Sequence, residues 1–173
     1  MKLHHYSDRW LKLYEHEAQG IKNVIGNSAK DIQHIGSTAI PHIMSKPIID
    51  IMVLLTSMDR AEVLIERLAP LEYIFDKDAS SSERYFFRKG EPVQYHLSLT
   101  DETATFWKRQ LQFRDYLINH EAIAKEYEAL KLKLIKKYPS AKQKYTDGKN
   151  EFVKKILSMA ENDAMITARP AQL

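Results

Sequence analysis

The spacing of apolar residues changes along the chain, and this change predicts the order of its secondary structure. Near the start of the chain, apolar residues recur three or four positions apart, which places them on one face of a helix. These residues are Trp10, Tyr14, Ala18, Ile21 and Ile25. Ser7 is suited to cap this helix and Gly26 to end it. A short strand is expected at residues 31–35, before a turn at Gly36-Ser37.

Residues 48–55 form the longest apolar run of the chain, and Asp50 is its single polar position. A run that is rich in β-branched residues predicts a strand covered on both faces. Because an isolated buried charge is costly, Asp50 must be paired, hydrogen-bonded or bound to a metal ion. Residues 38–47 contain Pro41 and Pro47, which predict a loop or one short helical turn.

The middle of the chain predicts one further helix and a β-hairpin. In order, we expect a helix capped by Thr56-Ser57 and ended by Pro70, a strand at 71–75, a polar loop at 76–83, and hairpin strands at 84–88 and 93–99. In the second hairpin strand, Gln94, His96 and Ser98 share one face, and apolar residues share the other. One face of this strand is therefore expected to pack, and the other to offer polar groups.

From residue 100 onward the apolar spacing is helical. Helices are predicted at 102–119, at 121–137 and beyond residue 148. Residues 162–173 have little apolar surface to bury and are expected to form a loose tail. The order of elements predicts a single α+β domain over residues 1–173. It would consist of a mixed β-sheet flanked by helices, with a helical C-terminal part.

Composition narrows the classes of protein that fit this pattern. The length of 173 residues suits one domain with a sizeable core. A net charge of +3 is compatible with a phosphorylated ligand, but is too small to argue for nucleic acid. The chain has no cysteine, which excludes disulfides, thiolate chemistry and cysteine-bound zinc. No apolar run is long enough to span a membrane, so a soluble, cytoplasmic protein is expected.

Twelve residues separate the Gly36-Ser37 turn from Asp50. This arrangement resembles the nucleotidyltransferase superfamily, the polymerase-β-like fold. Its members carry a Gly-Ser or Gly-Gly turn and, after a short connection, an Asp-hydrophobic-Asp/Glu motif. The resemblance implies a nucleotidyltransferase-like fold and a phosphate-binding turn near the carboxylate.

Further motifs in the same order resemble one branch, the GrpB family, over about residues 5–160. They are His34-Ile35-Gly36-Ser37-Thr38-Ala39-Ile40-Pro41, Lys46-Pro47-Ile48-Ile49-Asp50-Ile51, Phe87-Arg88-Lys89-Gly90, His96-Leu97, Phe113-Arg114-Asp115-Tyr116-Leu117, Glu126-Tyr127-Glu128-Ala129-Leu130-Lys131 and Tyr145-Thr146-Asp147-Gly148-Lys149. The resemblance implies the same nucleotidyltransferase-like fold. In some proteins the module is joined to dephospho-coenzyme A kinase. A specific reaction does not follow from this resemblance.

Asp50 and His96 are the candidate catalytic and metal-binding residues. In active nucleotidyltransferases, two carboxylates on one strand face and a third from a neighbouring strand hold magnesium ions. Here the second position is Met52, a poor magnesium ligand, and the third corresponds to His96. A His-Asp pair can bind one divalent cation, for which Mg²⁺ is the expectation, or act in acid–base chemistry. The pair can also be a structural hydrogen bond.

Gly36-Ser37-Thr38 is the candidate phosphate-binding segment, because backbone N–H and hydroxyl groups at such a turn can bind phosphate oxygens. The alternative is a turn followed by a helix cap. Candidate phosphate clamps are Lys46, Arg84, Arg88 and Arg114. Each of them alone could equally be a surface charge. His34, beside the turn, is expected to pack.

Residues 125–155 contain ten lysines and four acidic residues. Such a run can bind RNA, but it is more often a solvated helix surface, which is the interpretation we adopt. The leading functional hypothesis is a nucleotidyltransferase-like protein that binds a nucleotide or a nucleotide-bearing small molecule and transfers a nucleotidyl or phosphoryl group. The alternative is a non-catalytic nucleotide-binding or interaction module with a degenerate metal site.

Overall fold

A computed structural model of the protein describes residues 2–59 and 61–167. The helices and strands are, in chain order, α1 (Arg9–Ile25), β1 (Ala29–Ile35), β2 (Ile49–Leu55), α2 (Ala61–Leu68), β3 (Ile74–Phe75), β4 (Tyr85–Lys89), β5 (Tyr95–Thr100), α3 (Thr105–Asn119), α4 (Glu121–Lys137), α5 (Lys142–Asp147) and α6 (Asn150–Thr167). A 3₁₀ turn, Ser37–Ala39, follows β1. No helix in these residues is long and apolar enough to cross a membrane.

The strands form one five-stranded sheet in the order β1-β2-β5-β4-β3. β2 and β5 are parallel, and the other neighbouring pairs are antiparallel. In the register of the sheet, Ile35, Asp50, His96 and Arg88 form one row across four strands. The predicted α+β class, with a mixed sheet flanked by helices, is confirmed, and so is the predicted hairpin of β4 and β5.

One face of the sheet packs against α1 and α2. Alternate residues of the central strands point to this face and form a hydrophobic core with the two helices. The core includes Trp10, Ile21 and Ile25 of α1, Leu64 and Leu68 of α2, Ile49, Ile51, Val53 and Leu55 of β2, Phe87 of β4, and Leu97 and Leu99 of β5. The predicted apolar face of the first helix is thus used as expected.

The opposite face of the sheet carries the polar residues and faces α3, α4 and α6. These helices form a second, smaller core with the segment between β1 and β2. Its buried members are Ile40, Ile43, Tyr116, Leu117, Ala124, Tyr127 and Ile156. Because this second core lies beside the sheet, a cleft remains between the polar sheet face and the C-terminal helices.

The observed boundaries of two elements differ from the predicted ones, because side-chain hydrogen bonds or local backbone geometry override the apolar periodicity. Helix α3 begins at Thr105 because the carboxylate of Asp101 accepts hydrogen bonds from the backbone N–H groups of Thr103, at 2.9 Å, and Met58, at 3.2 Å. Strand β3 has only two residues, since a 3₁₀ turn and the left-handed Glu72 precede it.

Two differences concern the C-terminal part. The short helix α5 was not predicted, because six residues are too few for a helical period to be recognised. The predicted tail begins at residue 162, but α6 continues to Thr167, since no glycine or proline interrupts the helix over this stretch. The remainder of the predicted tail, residues 168–173, lies outside the described residues.

Candidate functional site

The turn after β1 lies directly against the carboxylate of Asp50. Gly36 has a φ of 72°, a conformation that side-chain-bearing residues rarely adopt. A Cβ atom at this position would lie 2.9 Å from Cγ of Asp50 and closer still to its Oδ2 atom. Glycine therefore allows both the turn and the approach of the carboxylate. The predicted proximity of the Gly-Ser turn and Asp50 is present in the fold.

Asp50 and His96 are neighbours in the register of β2 and β5. His96 Nδ1 lies 2.9 Å from Asp50 Oδ1, and both side chains remain about a third exposed. When Nδ1–H donates to the carboxylate, Nε2 of a neutral imidazole is the proton acceptor. The ring of Phe86 packs at 5.0 Å from the His96 ring, centroid to centroid, and helps to fix its orientation. A His-Asp pair in this arrangement can transfer a proton, bind a ligand or act as a structural hydrogen bond.

Two adjoining cavities open around this pair. The first, which we call the aromatic cavity, has a volume of about 480 Å³ and lies between the sheet, α3 and α6. Its walls include Phe86, Phe106, Phe113, Arg84, Arg109 and Gln110. The second, the lysine cavity, has a volume of about 230 Å³, and its walls include Lys46, Lys131, Lys149, Thr38 and Tyr145. Both cavities are lined by Ser37, Asp50, His96 and Lys149.

Lys131 reaches the lysine cavity from the buried side of α4. The residue is 2% exposed, and its ammonium donates a hydrogen bond to the carbonyl of Met44 at 2.5 Å. The ammonium also lies 4.8 Å from the centroid of the Tyr127 ring. Burial lowers the pKa of Lys131 to about 7, against the opposing effect of the Glu128 carboxylate, which raises it.

Lys46 and Lys149 approach the same aromatic ring. Their Nζ atoms lie 4.0 Å and 4.8 Å from the centroid of the Tyr145 ring. Burial lowers the pKa of both lysines, and the charge of Lys149 lowers the pKa of Lys46 further. Asp50 acts in the opposite direction on both. The two ammonium groups therefore repel each other across a small, partly desolvated space.

Thr38 lines the lysine cavity, but its hydroxyl already has partners within the protein. The hydroxyl donates to the carbonyl of Ile48 at 3.1 Å and lies 3.0 Å from Nε2 of His34. Because a hydroxyl has one hydrogen, Thr38 has no side-chain donor left for a phosphate. His34 stacks on the ring of Tyr14 at 4.8 Å, as expected of a packing residue, and burial lowers its pKa to about 4.

Two of the three arginines predicted as phosphate clamps, Arg88 and Arg114, do not line either cavity. Arg88 pairs with Asp76 at 2.7 Å, although it is adjacent to His96 in the sheet register. Arg114 donates to the side chain of Gln33 and to the carbonyl of His34, and so joins α3 to the edge strand β1. Asp76 lies in a loop, and Gln33 and His34 are distant from Arg114 in the sequence, so motif spacing alone does not predict these partners.

Arg84 is the predicted cation that does line the aromatic cavity. Its guanidinium carbon lies 4.8 Å from the ring centroid of Phe86 and 5.0 Å from that of Phe106. Its Nη2 group donates to the carbonyl of Ala79 at 2.6 Å. Arg84 therefore joins β4, α3 and the loop after β3 at the wall of this cavity.

A family model described as GrpB protein matches residues 1–159. The chain belongs to the GrpB family. It is similar to the glutamate-rich protein GrpB of Alkalihalophilus pseudofirmus, with 35% identity over 159 residues that cover 88% of this chain and 91% of that protein. The crystal structure of the conserved protein GrpB from Enterococcus faecalis matches with a TM-score of 0.87 and 30% identity, covering 95% of this chain and 99% of that chain. The family predicted from the spaced motifs is confirmed.

A more distant likeness is to a solved structure of a cytoplasmic RNA terminal U-transferase. Its TM-score is 0.45 at 13% identity, and the match covers 74% of this chain and 42% of that chain.

The residues of this GrpB chain do not form the carboxylate set of a two-magnesium site. Met52, two residues after Asp50 on the same strand face, is fully buried and lies beside Ser98 in the register. Within residues 2–59 and 61–167, no group of three or more histidine, aspartate or glutamate side chains could hold a metal ion. What remains is one carboxylate, already bonded to His96, beside lysines. Magnesium favours several oxygen ligands, so this donor set fits it poorly.

The sequence pattern predicts no role for Lys131 and Lys149, because a lysine-rich segment is typical of a solvated helix surface. A signal was nevertheless present for Lys131. It lies four residues after Tyr127 and three before Leu134, and therefore on the buried face of α4. Lys149 follows Gly148, where an added Cβ would collide with the side chain of Leu134. This close packing of the α5–α6 connection on α4 depends on tertiary structure and has no pattern in the sequence.

Proposed function

We propose that this GrpB chain binds a phosphorylated small molecule of the nucleotide class in the cleft between the sheet and the C-terminal helices. The observation that carries the proposal is the convergence of Lys46, Lys131 and Lys149 on one small cavity beside Ser37. Ammonium groups in a partly buried space bind phosphate oxygens through charge-assisted hydrogen bonds. The phosphates would therefore lie in the lysine cavity.

The aromatic cavity would hold the rest of the molecule. Its volume of about 480 Å³ is in the range of small-molecule sites. Phe86, Phe106 and Phe113 offer ring faces and edges for a planar base, and Gln110 and Arg109 offer polar groups for its edge. Since Ser37, Asp50, His96 and Lys149 line both cavities, a phosphate bonded to an organic group would bridge the two at these residues.

The Asp50–His96 pair supports a transfer reaction at the junction of the cavities. His96 Nε2 would accept the proton of an acceptor hydroxyl while that oxygen attacks phosphorus, and the leaving phosphate oxygen would take the electron pair of the broken bond. Asp50 would hold the resulting imidazolium through the Nδ1 hydrogen bond. The second candidate is a nucleotide-binding module without turnover, and it is favoured by Met52 at the position where active enzymes carry a carboxylate.

A thermal-shift panel tests the binding proposal. The panel contains the four common nucleoside triphosphates, coenzyme A and dephospho-coenzyme A. A compound at about 100 times its Kd should raise Tm by roughly 5 °C or more. Lys149→Ala should abolish the shift. The matched control is Lys133→Ala, an exposed lysine of α4 outside both cavities, which should keep it.

The outcomes separate the candidates. If no compound raises Tm, or if Lys133→Ala and Lys149→Ala lose the shift equally, the cleft is not a nucleotide site. A shift without any product after prolonged incubation with acceptor alcohols supports the module over the transferase. Binding of RNA with an affinity that falls steeply with salt would instead favour the lysine-rich helices as a nucleic-acid surface.

A further inference from the structure

We propose that negative charge bound in this cleft is neutralised by the chain's own lysines, Lys46, Lys131 and Lys149, and that binding needs no divalent cation. The inference rests on the proposed function, since it concerns how the same cleft holds phosphate. It departs from the expectation drawn from nucleotidyltransferases, in which magnesium ions held by carboxylates perform this task.

The charges that line the lysine cavity point to an anion. Its described walls contain the three lysines and a single carboxylate, that of Asp50. Glu128, the acid that faces Lys131 on α4, accepts hydrogen bonds from the backbone of Met44 and from Lys125 and does not line the cavity. With the lysines protonated, three positive charges and one negative charge line the described walls.

The lysines are also held in place before any ligand arrives. Lys131 is fixed by its hydrogen bond to the Met44 carbonyl, and Lys46 and Lys149 lie over the ring of Tyr145. The mutual repulsion of these ammonium groups is unfavourable, and attraction to a bound phosphate group offsets it. A divalent cation in the same space would add to the repulsion and would find only one carboxylate.

Asp50 makes the two modes of binding distinguishable, because its charge has opposite effects in them. If a cation bridges phosphate to the protein, Asp50 is its main oxygen ligand, and removal of the charge abolishes binding. If the lysines bind phosphate directly, Asp50 repels the ligand, and removal of its charge strengthens binding. The substitution Asp50→Asn isolates the charge, because the amide keeps the shape of the side chain and an acceptor oxygen for His96.

Isothermal titration with inorganic pyrophosphate provides the test. Pyrophosphate is titrated into the full chain in excess EDTA and, separately, in magnesium buffer. We expect binding in EDTA that is at least as tight as in magnesium. We also expect Asp50→Asn to bind several-fold more tightly and Lys149→Ala to bind roughly tenfold more weakly. Lys133→Ala is the control for a loss of positive charge elsewhere, and thermal melting in buffer verifies that each variant is folded.

Binding that appears only with magnesium and disappears in Asp50→Asn overturns the inference and leaves the proposed function standing. No binding of pyrophosphate in either buffer also overturns it, and the nucleotide panel then decides separately whether the proposed function survives. Equal affinities of Lys149→Ala and Lys133→Ala would show that the pyrophosphate lies outside the lysine cavity, which again contradicts the inference.

Discussion

Strand β2 gives Ile49, Ile51 and Val53 to one face of the sheet, and Asp50 and Met52 to the other. The first face is closed by α1 and α2, whose apolar stripes pack against these strand residues. The second face meets α3, α4 and α6 across a cleft, and its polar residues remain partly accessible. The same strands therefore supply a sealed core and an open site, and the alternation of side chains keeps the two apart.

The comparison separates a face that stabilises the fold from the face that carries the proposed binding site. Burial of apolar side chains on the α1–α2 face is the main stabilising contribution, because each buried member of this core is less than a tenth exposed. On the cleft face, lysines and a His-Asp pair are placed at some cost in desolvation, as the lowered pKa values of Lys46, Lys131 and Lys149 indicate. Substitutions on the two faces should accordingly have different consequences.

The sharpest contrast is between two adjacent residues of β4. Phe87 is fully buried against α1 and α2, whereas Phe86 lines the aromatic cavity. Phe87→Ala should lower the free energy of unfolding by about 3–5 kcal/mol, the usual cost of an aromatic-sized core cavity. Phe86→Ala should cost roughly half as much and should weaken nucleotide binding by about 1–3 kcal/mol, because a stacking surface is lost. Urea unfolding measures the loss of stability, and titration of the nucleotide with the largest thermal shift measures the loss of binding. Similar losses of stability for both variants would contradict the division of the faces.

His34 is one of the polar residues buried on the sealed face, and burial keeps its imidazole neutral at pH 7. Its pKa is about 4 in the folded protein, because burial disfavours the charged form, and 6.5 when it is exposed. The unfolded chain therefore binds the extra proton first, and stability is lost as pH falls from 6.5 to 4. The loss from this residue is roughly 3 kcal/mol, at about 1.4 kcal/mol per pKa unit.

The measurement is urea unfolding at several pH values between about 4 and 7 for the wild type and His34→Gln. The variant should be less stable at neutral pH and should lose less stability on acidification. His16→Gln, at an exposed position of α1, serves as the control and should follow the wild type. Parallel pH profiles for the wild type and His34→Gln would contradict a role for His34 burial in acid sensitivity.

A smaller effect tests the contact between the turn and Asp50. Gly36 and Gly26 both have positive φ, at 72° and 63°, but of the two only Gly36 lies against another side chain. Gly26→Ala should cost about 1–2 kcal/mol for the backbone conformation alone. Gly36→Ala should cost about 1–3 kcal/mol more, because the new methyl group collides with the carboxylate of Asp50. Chemical denaturation measures both, and equal costs would show that the turn can move away from Asp50 freely.

Much of the fold followed from periodicity. The apolar stripe of α1, the continuous apolar run of β2 and the hairpin turn at Gly90 each have a local physical cause, and α4 was predicted with its observed ends. The boundary of α3 could not be predicted, because it depends on the bond between Asp101 and the distant Met58. Predictions of the elements succeeded where the chain determines its own structure over a few residues.

The site was predictable only in part. The pairing of Asp50 with His96 followed from the alternation in two strands together with the family resemblance. The partners of Arg88 and Arg114 and the positions of Lys131 and Lys149 depend on how the helices pack on the sheet. A charged residue in a motif could therefore be recognised, but the residue that it faces could not.

The parallel pairing of β2 with β5 also bears on how the chain folds. Asp50 and His96 are 46 positions apart, whereas the β4–β5 hairpin closes over a short turn. Because the entropic cost of closing a loop increases with its length, local contacts are expected to form before this long-range pair. The β4–β5 hairpin, which carries His96, can therefore form before β2 brings Asp50 beside it. The Asp50–His96 pair comes into existence only with the completed sheet, so a ligand held there would select the fully folded chain over partly folded forms.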